Sequence, residues 1–73
     1  MPQIELELNG APYVLDAARL EAATLHALVD ALGLAGQALA LAVNRRVVPR
    51  ERWPETVLAP RDRVDVVRAI GGG

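Results

Sequence analysis

Cysteine, phenylalanine, serine and lysine do not occur anywhere in this chain of 73 residues. Without cysteine there is no disulfide, no thiolate nucleophile and no cysteine-based zinc site. Without serine and lysine there is no serine triad, no Schiff-base lysine and no P-loop. The single histidine, His26, cannot assemble a multi-imidazole metal centre. Carboxylates remain, but a chain this short has little room for a closed pocket around a pair of them. The expectation is a protein that catalyses nothing alone, with no catalytic residue, no metal and no cofactor of its own.

Long apolar runs are also lacking. No stretch approaches the roughly 20 residues of a membrane span, and Met1 to Leu8 lacks the basic start of a signal peptide. A cytoplasmic protein is the simplest expectation. What is present is enough to fold: 52% of residues are hydrophobic and 23% charged, which argues against wholesale disorder. The length allows one small domain, hiding roughly 60% of its unfolded surface. Charge is unevenly placed. Residues 1–40 carry Arg19 against Glu5, Glu7, Asp16, Glu21 and Asp30, a net of -4. Residues 41–73 carry seven arginines against Glu51, Glu55, Asp62 and Asp65, a net of +3. That basic half suits either an acidic partner or a solvated face of internal ion pairs.

Ile4-Glu5-Leu6-Glu7-Leu8 alternates strictly, as a strand with one buried face does. Asn9-Gly10 is a strong hairpin signal because both residues tolerate positive φ. Tyr13-Val14-Leu15 reads as the returning strand. Leu25, Leu28, Val29 and Leu32 form one apolar helical stripe, with Thr24 as N-cap and Gly33 as stop. Asp16 is itself able to cap a helix through Ala17–Ala23, but a short turn with Leu20 tucked inward is the favoured reading. Leu39 to Val43 alternates again, with Ala40 and Ala42 outward. Asn44-Arg45 makes a turn, and Val47-Val48 a short strand ended by Pro49. Residues 49–62 read as a polar connection with three prolines. In it Trp53 closes the core with its N–H bonded, and Arg50 and Arg52 either pair locally with Glu51 or Glu55, the favoured reading, or meet a partner protein. Arg63 to Ile70 is the last strand, with Val64 and Val66 inward. Arg68 shares their parity, which predicts a bulge or departure from the sheet there.

The order is β-β-α-β-β-β, an α+β domain whose mixed sheet is crossed by one helix, the last strand lying parallel beside the first. Two features fall outside the core. Val67, Ala40 and Ala42 lie on solvent parity, an apolar strip that suggests a docking face; an inward-packed Val67 is the other reading. Gly71, Gly72 and Gly73 end the chain directly after a strand. Glycines pass a narrow channel and adopt any φ, and three extended residues reach about 10 Å.

This arrangement is that of the ubiquitin-like β-grasp fold, and the sequence resembles the ThiS-type sulfur carriers of thiamine biosynthesis over nearly its whole length. The resemblance is carried by Asn9-Gly10, Thr24-Leu25, Leu41-Ala42-Val43-Asn44, Val48-Pro49-Arg50-Glu51-Arg52-Trp53, and Arg61 to Ile70 with the terminal glycines. The alanine-rich link 17–23 departs from the family pattern. The resemblance implies a β-grasp domain over 1–69 and a flexible tail over 70–73 whose Gly73 carboxylate is the reactive group. A ubiquitin-activating-like partner would use ATP to adenylate Gly73. A cysteine desulfurase or rhodanese-like donor would supply the sulfur of a thiocarboxylate, and thiazole synthase would receive it. Val67, Ile70, Ala40 and Ala42 would then meet the activating partner.

Other readings stay open at this level. The small subunit of molybdopterin synthase shares fold and chemistry, although the charge-rich last strand here speaks against it. A β-grasp module that binds RNA has seven arginines available, but only Tyr13 and Trp53 for stacking and a negative net charge. A plain interaction domain with a passive tail is the third.

Overall fold

A computed structural model describes residues 2–68. Ala69 and the tail expectations for Ile70, Gly71, Gly72 and Gly73 lie outside these described residues. Strands β1 (Gln3–Leu8) and β2 (Ala11–Asp16) form an antiparallel hairpin. Its turn is Asn9-Gly10, with φ of 49° and 82°, the paired positive values that a two-residue hairpin requires. Helix α1 (Leu25–Ala31) follows. Strands β3 (Leu39–Val43) and β4 (Arg46–Val48) form a second hairpin around Asn44-Arg45, again with both φ positive, at 51° and 70°. Strand β5 (Arg63–Arg68) enters between the hairpins, parallel to β1 and antiparallel to β3. The sheet order is β2-β1-β5-β3-β4.

The helix has both of its expected boundaries. The Thr24 hydroxyl accepts the Ala27 N–H at 3.1 Å, satisfying one of the orphan donors of the first turn. At the other end Gly33 sits at φ 72°. Gly33 N–H donates to the Asp30 carbonyl and Leu34 N–H to the Val29 carbonyl, the paired bonds of a Schellman stop. Between these ends Leu25, Leu28 and Val29 are buried against Ile4, Leu6, Leu15, Leu41 and Val64 from the sheet. Each such side chain stabilises the fold by roughly 1.5–3 kcal/mol relative to exposure.

Leu20 corrects the sequence reading. It is 57% exposed, while Ala17 and Ala23 are buried instead. A 3-10 turn over Leu20–Ala22 carries the chain from β2 to α1. Its flanks are pinned by backbone bonds, Ala17 N–H to Pro2 and Leu58 N–H to Ala23. The backbone runs so close to the core that alanine fills the space and leucine is turned out. The connection after β4 holds a second 3-10 segment, Arg50–Glu55. It delivers Trp53 to the floor of the core, where the indole N–H donates to the Val48 carbonyl at 2.9 Å. Leu58 is buried beside it, held by the isolated Thr24–Val57 bridge.

Arg68 is a second correction. β5 neither bulges nor leaves β3: the register runs evenly from Val43 opposite Val64 to Leu39 opposite Arg68. Its inward parity costs nothing because β1 has already ended, pairing only Glu7 with Arg63 and Leu8 with Val64. Val66 and Leu39 on the same face still pack against the core, and Arg68 beyond them is exposed.

Candidate functional site

The sheet has two faces, and α1 covers one. On the other, alternation sets Glu5 and Glu7 on β1, Arg63, Asp65 and Val67 on β5, Ala40 and Ala42 on β3, and Val47 on β4. Register brings the apolar members together. Val67 lies opposite Ala40, and Ala42 lies between Asp65 on one side and Val47 on the other. Val67 is 62% exposed, so it faces solvent and does not pack into the core. Ala40 is exposed and Ala42 half-buried. Val47, 76% exposed, extends the strip. Sequence reasoning passed over it, although Val48 on the inward parity of a three-residue strand requires Val47 to point out. Exposed valines grouped in this way are unusual on a monomer and mark a surface that meets something.

A groove of about 550 Å³ opens at the C-terminal end of β5. Gly36, Gln37, Ala38, Leu39, Ala40, Arg50 and Val67 line it. It therefore begins on the apolar strip, at Ala40 and Val67, and runs to Arg50. Arg50 is the charged member. Its guanidinium lies 4.8 Å from the centre of the Trp53 ring and donates to the Gln37 carbonyl. The expected pairing of Arg50 and Arg52 with Glu51 or Glu55 is not found among the described residues. The tight 3-10 winding projects successive side chains apart, and the indole face offers Arg50 a closer surface.

At the other end of β5 the charges are matched. Arg63 Nε donates to Glu7 Oε2 at 2.8 Å. That bond and the Glu7 charge raise the Arg63 guanidinium above its ordinary value, with Asp65 adding less. Around it, Asn44 Oδ1 accepts the Arg63 N–H at 3.0 Å while Asn44 Nδ2 donates to Asp62. His26 lies exposed 3.5 Å from Asp30, one turn along the helix. Among the described residues no group of three His, Cys, Asp or Glu side chains is able to hold a metal. No helix there is long and apolar enough to cross a membrane. What the described residues offer is an exposed apolar strip beside a shallow groove.

Comparison with known proteins gives the family. The ThiS family model matches residues 6–73. The chain belongs to the ThiS family. These are the small sulfur carriers of thiamine biosynthesis, and that membership selects among the readings left open by the residues. The sulfur carrier protein ThiS of Escherichia coli is 34% identical over 50 residues, which are 68% of this chain and 76% of that protein. The crystal structure of the thiamine biosynthesis protein ThiS from Geobacter metallireducens superposes with a TM-score of 0.77 at 30% identity. The match covers 96% of this chain and 100% of that one, and it confirms the β-grasp arrangement. A protein named thiazole synthase from Magnetococcus marinus is 36% identical over 70 residues. This ThiS-family chain spans only a fifth of that protein's length.

Proposed function

We propose that this ThiS-family chain carries sulfur as a thiocarboxylate on Gly73 and delivers it to thiazole synthase. The observation that carries the reading is the extent of the family match, which runs through Gly73 and so includes the glycine tail. An adenylating enzyme of the ubiquitin-activating kind joins the Gly73 carboxylate to the α-phosphate of ATP and releases pyrophosphate. The terminal sulfur of a persulfide on a cysteine desulfurase or rhodanese-like donor displaces AMP. A thiol then frees the donor as a disulfide and leaves the thiocarboxylate. This chain supplies none of the catalytic groups, in keeping with a sequence that has no Cys, Ser or Lys. ATP is the partner's substrate, and the chain holds no cofactor.

Two supports bear on the partners. A ThiS-like stretch occurs within a protein named thiazole synthase, and fusing a carrier to its acceptor is useful only where the two work in contact. Secondly, the strip of Val67, Ala40 and Ala42 includes a residue close in sequence to the C-terminus, and an activating enzyme that threads the terminus must grip the chain near it; Ile70 continues that line in sequence. The test is mass spectrometry of the intact chain after incubation with adenylating enzyme, ATP and a persulfide donor. Exchange of one oxygen for sulfur at the C-terminus is expected. An unchanged mass with an enzyme shown to charge a known carrier would overturn the reading.

A further inference from the structure

Within Pro49-Arg50-Glu51-Arg52-Trp53, packing accounts for Trp53 and leaves Arg50 without an electrostatic task. Its guanidinium is held in place by the Trp53 ring at 4.8 Å and by the Gln37 carbonyl. Among the described residues no carboxylate lies within 4.0 Å of it. The side chain also forms the ridge between two grooves. One is the groove shared with Ala40 and Val67; the other, about 270 Å³, runs past His26 and Pro54. The remaining lining of the first groove, from Gly36 to Ala40 and Val67, is uncharged. A single cation of fixed orientation thus stands at the edge of an apolar strip.

We propose that Arg50 is the anchor for a carboxylate side chain of the adenylating partner, whose apolar neighbours cover Val67 and Ala40. This rests on the carrier reading above. A guanidinium presents five donors in a planar fork, and one bond to Gln37 leaves others free for a carboxylate. Stacking and that bond fix the fork before the partner arrives, which lowers the ordering cost of binding. The apolar surroundings exclude water and strengthen the pair once covered. An acidic protein surface fits better than a nucleic acid, because the lining offers one cation and the indole is only 4% exposed, with no face free for a base.

The experiment compares full-length wild type, Arg50→Gln, Arg50→Lys and Val67→Asp for binding to the adenylating enzyme at low and high salt. Arg50→Gln is expected to weaken binding about tenfold at low salt, and by less at high salt, because the lost contact is ionic. Arg50→Lys keeps the charge but not the fork, so it gives a smaller loss with wild-type salt sensitivity. It also carries the test if Arg50→Gln lowers the melting temperature. Unchanged binding by Arg50→Gln, or equal loss at both salts, overturns the anchor. So does a loss that vanishes when Gly71–Gly73 are removed from both proteins, since Arg50 would then be serving the chain's own terminus. Wild-type protein that neither binds nor charges overturns the carrier reading itself, and Val67→Asp binding like wild type overturns the strip alone.

Discussion

Arg63 and Val64 at the start of β5 are gripped from both sides, whereas Val67 and Arg68 at its end are gripped from one. The first pair meets β1 and β3 together, with Asn9 N–H donating to the Val64 carbonyl and Asn44 bonded to both backbone groups of Arg63. Past Leu8 there is no β1 left. The Asn9 carboxamide takes the Val66 N–H at 2.8 Å, and beyond it only β3 remains. Burial along the strand follows the face instead, with Val64 beneath α1 at 1% and Val67 on the uncovered face at 62% exposure. One strand therefore does two jobs. Its first half locks the hairpins together, and its second half holds out an apolar surface. Under the proposed function this division lets the terminus enter another protein while the fold stays intact.

The sharpest separation of the two jobs comes from the terminus. Deleting Gly73 is expected to leave the melting temperature unchanged, since a residue without a side chain offers no apolar area to bury. Thiocarboxylate yield should fall about 100-fold or more, because the carboxylate stops about 3.5 Å short. Gly72→Val should act alike by adding a β-branched side chain to a segment that must pass through a narrow channel. Quantitative mass spectrometry against time measures both, and a truncated chain charging at the wild-type rate would break the comparison.

One substitution made at two places three residues apart tests the division within the strand. Val64→Ala removes buried methyl groups and leaves a cavity, a loss of about 2 kcal/mol, or roughly 4–8 °C of melting temperature for each kcal/mol. Val67→Ala should stay within about 0.5 kcal/mol. Val67→Asp should fold as wild type yet bind the adenylating enzyme about tenfold more weakly. Equal destabilisation by the two alanine variants would show that both faces of β5 are structural.

The strand alternations, the helix stripe, both hairpin turns and the parallel insertion of β5 were legible in the sequence, because each depends on residues close together in the chain. Parity also pointed Val67, Ala40 and Ala42 outward, but an inward-packed Val67 stayed open until the regular register of β5 and its 62% exposure decided it. Leu20 was misread because hydrophobicity is a local cue, whereas its exposure depends on how near the backbone of 17–23 passes to residues 2 and 58. The regular end of β5 was missed for a similar reason. An arginine on inward parity signals a bulge only if a strand lies on both sides, and where β1 ends relative to β5 is a property of the assembled sheet. Arg50 shows the same limit. Nearby glutamates were the visible partners, while Trp53 and the Gln37 carbonyl, 13 residues back, became neighbours only through folding.

The two asparagines give a smaller contrast. Asn44 and Asn9 both sit at positive φ and each staples β5 with one side-chain bond, but Asn44 makes a second, to Asp62 just before the strand. Glycine keeps the backbone conformation and removes only the side-chain bonds. Asn44→Gly is expected to cost about 1 kcal/mol and Asn9→Gly about half that, the bonds being solvent-exposed. Chemical denaturation resolves the pair, and a larger loss from Asn9 would reverse the order of the two ends.

The smallest effect is expected where the geometry looks strongest, at Glu7 and Arg63. Their 2.8 Å bond is well formed, but both side chains are about half exposed, and water and salt screen such pairs heavily. Glu7→Gln retains a hydrogen-bond acceptor and should leave the melting temperature within experimental scatter. The pH dependence follows from the direction of the Arg63 shift. Its folded value is raised, so the associated stabilisation is fully present below the unfolded arginine value and is lost only as pH rises through the folded one. That window lies above ordinary arginine titration. From about pH 6 to about pH 9 Arg63 therefore contributes no slope to stability. Melting curves of wild type and Glu7→Gln across that range should run parallel. A drop in Glu7→Gln comparable to that of Val64→Ala would mean that the start of β5 is held chiefly by charge, and the burial of Val64 would no longer explain why that half of the strand is the fixed one.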